Sequence, residues 1–79
     1  MRLDKYLKVS RIIKRSTVAC EACEQGKVSL NGKVAKASSQ VKEGDIIEVT
    51  FGERILRAEI LTIAEHVLKG DAQSMYKPL

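Results

Sequence analysis

The run Gly26-Lys27-Val28-Ser29-Leu30-Asn31-Gly32-Lys33-Val34-Ala35-Lys36 decides how this chain is read. Polar and apolar residues alternate on both sides of Asn31-Gly32, which is the period of a half-buried strand. Asn-Gly is the strongest short hairpin signal, because a type I′ turn needs positive φ at both central residues. The stretch is therefore a two-stranded hairpin, and the rest of the chain is placed around it.

Upstream the period is helical. Leu3, Tyr6 and Leu7 fall at i, i+3 and i+4 and predict a short helix over residues 2–10. Asp4 stands four residues before Lys8, the favourable order for a pair on a helix face. Residues 11–15 place Ile12 and Ile13 between basic side chains. Ser16 and Thr17 are N-cap candidates for a second helix. Val18, Ala19, Ala22 and Cys23 supply its buried stripe, and Gly26 stands where a helix C-terminus favours positive φ.

Downstream, residues 38–42 make a polar connection and Glu43-Gly44-Asp45 a turn. Residues 46–51 predict a strand with Ile47, Val49 and Phe51 on one face. Gly52-Glu53 turns the chain again, and residues 55–63 predict a last strand with Leu56, Ala58 and Ile60 alternating. The fold class is α+β: two short N-terminal helices packed on a small antiparallel β-sheet. Residues 1–63 form a single domain. Residues 64–79 are a short C-terminal tail, broken at Gly70-Asp71 and ended by Pro78. The tail either frays or forms a short helix through Met75 and Tyr76 that docks on the core.

Seventy-nine residues make one small domain with a modest core. That is little scaffold for holding catalytic groups rigid, so a non-enzymatic role is expected. The composition is 44% hydrophobic, which is enough apolar material to fold. The three aromatics, Tyr6, Phe51 and Tyr76, are too few for a base-stacking platform. The net charge is +4, unevenly spread. Residues 1–42 hold ten Lys or Arg against three acids, and residues 43–79 hold four against seven. A basic field gathered in one half of a domain points to a polyanionic partner. No apolar run has the length of a signal peptide or a membrane helix, so a cytoplasmic protein without a membrane partner is expected. Two cysteines fit a reducing compartment.

Cys20-Glu21-Ala22-Cys23 is a CxxC. A zinc site needs four ligands, and only His66 remains to join the two thiols. A redox site wants the first Cys at a helix N-terminus within a larger frame, whereas this pair lies inside a short helix. The pair reads as small core residues, with a thiol redox or metal-binding protein as the weaker alternative. His66 has no evident partner for general base work and reads as a surface residue. No metal or cofactor is expected.

The basic elements remain. Arg2, Lys5, Lys8, Arg11, Lys14 and Arg15 come from the first helix and the approach to the second. Lys27, Lys33 and Lys36 come from the hairpin. Lys14 and Arg15 stand just before a helix N-terminus, where free N–H groups and the dipole favour an anion. Arg clamps phosphate bidentately while Lys contributes charge with looser geometry, which ranks Arg2, Arg11 and Arg15 first. Asn31 at the hairpin tip either reaches the ligand or simply makes the turn.

In combination these marks resemble the S-four (αL-type) RNA-binding domain first seen in small-subunit ribosomal protein four. Arg2-Leu3-Asp4-Lys5 opens the first helix and Arg11 follows. Lys14-Arg15-Ser16-Thr17 opens the second helix. Gly26-Lys27-Val28 enters the sheet, Asn31-Gly32 makes the tip, Lys36 precedes a Ser-rich link, and Gly44-Asp45 precedes the last motif strand. The likeness covers residues 1–51. Length, the opening MRLDKYLKVSRIIKR, the FGERIL continuation and Met75-Tyr76 are similar to the stand-alone RqcP family of bacterial ribosome quality control.

The resemblance implies binding to a stalled large ribosomal subunit, with contacts to its rRNA and to peptidyl-tRNA. It further implies support of template-free alanine tailing of the nascent chain by the partner RqcH, by a protein that is monomeric off the ribosome. The candidate RNA-binding set is Arg2, Lys5, Lys8, Arg11, Lys14, Arg15, Ser16, Thr17, Lys27, Asn31, Lys33 and Lys36. Many relatives carry Arg where Ser16 stands, and here Arg15 is the neighbouring cation. The related heat-shock ribosome-associated proteins of subunit recycling carry the same domain with a longer basic tail and form the alternative. The tail of this chain is not basic.

Overall fold

The computed structural model describes residues 1–63 and 75–79. Leu3, Tyr6 and Leu7 are fully buried and form the inner stripe of helix α1 (Leu3–Val9). Lys5 and Lys8 consequently point away from the core. The chain reverses at Arg11, which adopts φ +62°, a left-handed conformation rare for a long side chain. Helix α2 (Ser16–Glu24) then packs on α1 through Ala19 and Cys23.

The strands are β1 (Val28–Leu30), β2 (Lys33–Val34), β3 (Ile46–Phe51), β4 (Arg54–Ile60) and β5 (Tyr76–Pro78). They form one antiparallel sheet in the order β2-β1-β3-β4-β5. Asn31 and Gly32 adopt φ +52° and +85°, the two positive values that the Asn-Gly turn requires. The core lies between the helices and one sheet face, where Val28, Ile47, Val49, Ala58 and Ile60 are all buried. The link between β2 and β3 runs beneath α1. Leu3 N–H donates to Ser39 O at 2.7 Å, Asp4 N–H to Ala37 O at 3.2 Å, and Val41 N–H to Met1 O at 3.0 Å.

Several expectations are revised. Part of the tail docks as a strand rather than a helix: Tyr76–Pro78 pairs with Ala58–Ile60 at the sheet edge, and Met75 is buried. The exposed edge accommodates Pro78, which a central strand would exclude. The rest of the tail, with His66, lies outside the described residues. The extended N-cap position of α2 is Arg15, with no side-chain cap, so Ser16 is the first helical residue. Val18 is 44% exposed because the buried stripe of this nine-residue helix runs through Ala19 and Cys23, one step around the axis. Phe51 is 43% exposed because it pairs with Arg54 in the last rung of a hairpin that outruns the core. The last long strand begins at Arg54 and ends at Ile60. The Asp4 carboxylate pairs with Arg2 at 3.2 Å.

Candidate nucleic-acid interface

Every residue of the candidate RNA-binding set is solvent-exposed. The fold divides the set into two groups. Lys5 and Lys8 from α1, Arg11, Lys14 and Arg15 from the link, and Ser16 and Thr17 from the first turn of α2 make the helical group. Arg2, Lys27, Asn31, Lys33 and Lys36 lie at or near the hairpin. Among the described residues, Arg11, Lys14 and Arg15 make no side-chain ion pair or hydrogen bond. Their charges are therefore open to a ligand.

The two helix N-termini differ. Those of α1 are occupied: the N–H groups of Leu3 and Asp4 donate to the β2–β3 link, and Asp4 places an acid in the first turn. Helix α2 has no acid in its first turn. Its first intrahelical bond of this kind runs from Ala19 N–H to Arg15 O at 3.0 Å. The preceding N–H groups lack partners within the helix. Lys14 and Arg15 flank that end, so the positive end of the dipole and two exposed cations converge. The phosphate cradle expected from the sequence falls at this helix end, and the backbone bonding leaves α1 no equivalent.

Asn31 has a structural task. Its Oδ1 accepts Ile46 N–H at 2.9 Å and its Nδ2 donates to Asp45 Oδ1 at 3.1 Å, while its own N–H donates to Ile46 O at 2.7 Å. These bonds pin the hairpin tip to the start of β3. The turn-making role is thus the one the geometry displays.

Arg2 and Lys36, far apart in sequence, border one cleft of about 510 Å³. Buried Cys23, Ala35 and Ala37 line its inner wall, and Cys20 and Glu24 stand along one side. The thiols are free. Cys20 Sγ donates to Glu24 Oε1 at 3.7 Å. Burial, with Asp4 next, pushes the Cys23 thiol up to about 11. Desolvation and then the Glu24 carboxylate raise that of Cys20. Both shifts favour the protonated thiol over the thiolate that redox exchange and metal ligation need, so the packing role fits Cys23.

Residues 1–47 match the S4 domain family. Two helices on an antiparallel sheet, with open cations at the helix link, thus define an S4-domain protein. The chain is 52% identical over 77 residues to the RQC P-site tRNA stabilizing factor of Halalkalibacterium halodurans, covering 98% of this chain and 88% of that protein. It is 49% identical over 76 residues to the Bacillus subtilis protein of the same name, covering 96% and 88%. This chain belongs to the family of RQC P-site tRNA stabilizing factors, in agreement with the RqcP likeness read from its residues. The solved Vibrio cholerae Heat Shock Protein 15, described as trimeric, superimposes with a TM-score of 0.92 at 32% identity over 100% of this chain and 81% of its own. Among the described residues, no helix is long and apolar enough to cross a membrane.

Proposed function

We propose that this protein is a non-enzymatic factor that binds tRNA in the P-site, together with rRNA, on a stalled large ribosomal subunit in the cytoplasm. By holding peptidyl-tRNA in place it supports the template-free alanine tailing of the trapped nascent chain by RqcH. The observation that carries the reading is the open end of α2, with free backbone donors beside Lys14 and Arg15 and with Arg11 on the adjoining turn. Such a surface grips phosphate groups and the shape of a folded RNA, which is how A-form helices are recognised when their major groove is too narrow to enter. The names of the relatives supply the tRNA and the quality-control setting.

Sedimentation of tagged protein from lysate tests this. Wild type is expected to travel with free large subunits that carry peptidyl-tRNA, and an Arg11→Ala, Arg15→Ala variant is expected to remain at the top of the gradient. Wild type that stays at the top would remove the ribosomal assignment. The likeness to Heat Shock Protein 15 supports a second reading, a subunit-recycling factor. Loss of the chain should abolish alanine tails under the first reading and leave them intact under the second.

A further inference from the structure

The cleft bordered by Arg2 and Lys36 has no part in the phosphate contacts placed at α2. Its inner residues are all small, which leaves a slot of about 510 Å³ open between the end of α2 and the strand β2 and the link that follows it. That volume lies within the range of about 300–1,000 Å³ typical of small-ligand sites. The wall is apolar, as a planar base requires, while Lys36 and Arg2, whose guanidinium also pairs with the Asp4 carboxylate at 3.2 Å, suit the phosphates on either side of a nucleotide.

Glu24 is the informative group. A carboxylate beside an RNA-binding surface repels phosphate, so in a purely electrostatic interface it would be a fault. As an acceptor without a proton of its own, it instead selects partners that bring N–H donors. Among the described residues its side-chain partner is the weak S–H donor of Cys20. Guanine presents N1–H and the N2 amino group side by side on its Watson–Crick edge, and a carboxylate accepts such a pair in parallel. Adenine and cytosine present one amino group there, and uracil presents one ring N–H. Unstacked bases read on that edge are the usual means of sequence recognition in RNA.

We propose that this cleft receives one unstacked nucleotide of the bound RNA, a guanine whose Watson–Crick donors meet Glu24 while Arg2 and Lys36 hold the flanking phosphates. The inference rests on the RNA-binding reading above and adds a base-specific contact to a surface that otherwise reads phosphate and shape.

The test uses the full chain and an RNA hairpin with a constant stem. The stem carries a single bulged G, A, C or U, or no bulge. Affinity is read by fluorescence anisotropy at fixed salt. Wild type is expected to prefer the G bulge over the U bulge by about tenfold, as one bidentate base contact provides. In Glu24→Gln that ratio is expected to fall to about twofold or less. Equal binding of all bulges by wild type, or a G preference that Glu24→Gln leaves intact, would overturn the proposal. If every stem binds with a steep salt dependence but bulge identity is ignored, the guanine site is wrong and the RNA-binding reading stands. If no stem binds, both fail.

Discussion

The hydroxyl of Tyr6, fully buried on α1, donates to the carbonyl oxygen of Met75 at 2.9 Å across 69 residues of sequence. One bond thus ties the first helix to the residue that leads into the last strand. Leu61 and Thr62 N–H groups donate to the same carbonyl oxygen, at 2.8 and 3.1 Å. The burial of Tyr6, with Tyr76 next in effect, pushes its hydroxyl well above the usual tyrosine range.

Tyr6→Phe should destabilise the fold by roughly 0.5–1.5 kcal/mol, the net worth of one hydrogen bond, because the Leu61 and Thr62 N–H groups still satisfy the Met75 carbonyl. Met75→Ala removes a nearly fully buried side chain and should cost roughly 2–5 kcal/mol. Urea unfolding measures both. A midpoint unchanged in Met75→Ala would mean that the buried Met75 side chain contributes nothing to the fold.

Lys14, Arg15 and Arg11 are exposed and lack partners among the described residues, so neutralising them should weaken RNA binding while leaving unfolding nearly unaltered. With roughly five phosphate contacts, the wild-type log–log salt slope should lie near −3.5 to −4.5. Removing one such cation should make the slope shallower by about 0.7–0.9. A titration across salt concentrations reads this directly, and a wild-type affinity indifferent to salt would rule out the phosphate cradle.

Asn31→Ala removes both side-chain bonds to residues 45 and 46 and places a residue poorly suited to φ +52° at the tip. A loss of about 1–3 kcal/mol is expected. RNA affinity measured well below the unfolding midpoint should change little, because Asn31 acts on the hairpin. A fall in affinity without a fall in stability would instead place Asn31 against the ligand.

The Cys23 thiol gives stability an alkaline limit. Its value is raised from 9.0 to about 11, so the native state holds this proton more tightly than the unfolded chain does. That contribution is complete below pH 9 and is lost as pH rises through about 11. Tyr6, also raised, adds to the loss above the ordinary tyrosine value near pH 10. Unfolding measured across this window should show falling stability, with a shallower fall in Cys23→Ala. The same slope in both proteins would remove Cys23 as a cause.

Where the chain's own periodicity governs, the fold was legible. Asn31-Gly32, the Leu3-Tyr6-Leu7 stripe and the alternation in β3 and β4 each reflect local geometry, and each element forms there, although β4 stops at Ile60 and β3 outruns the core at Phe51. β5 was hidden because three residues carry no usable period and Pro78 argues against a strand until an exposed edge is known to receive it. The first turn of α2 was half legible: Ser16 and Thr17 mark a helix start, but the extended backbone of Arg15 sets its boundary. Within the candidate site, exposure followed from charge. The cleft did not, because Arg2, Glu24 and Lys36 meet only through the path of the β2–β3 link.

That link is held at several points in the free protein. Leu3, Asp4 and Val41 fasten it by backbone bonds, Ser39 Oγ accepts Lys36 N–H at 3.0 Å, and Asp45 Oδ2 accepts Lys42 N–H at 2.9 Å. Its conformational entropy is thus surrendered on folding rather than on association. Encounter with a polyanion should then proceed in one kinetic phase, with an association rate that rises with concentration without saturating and slows as salt screens the steering field. Residence time, set by how quickly the bound RNA is released, becomes the quantity through which occupancy is adjusted.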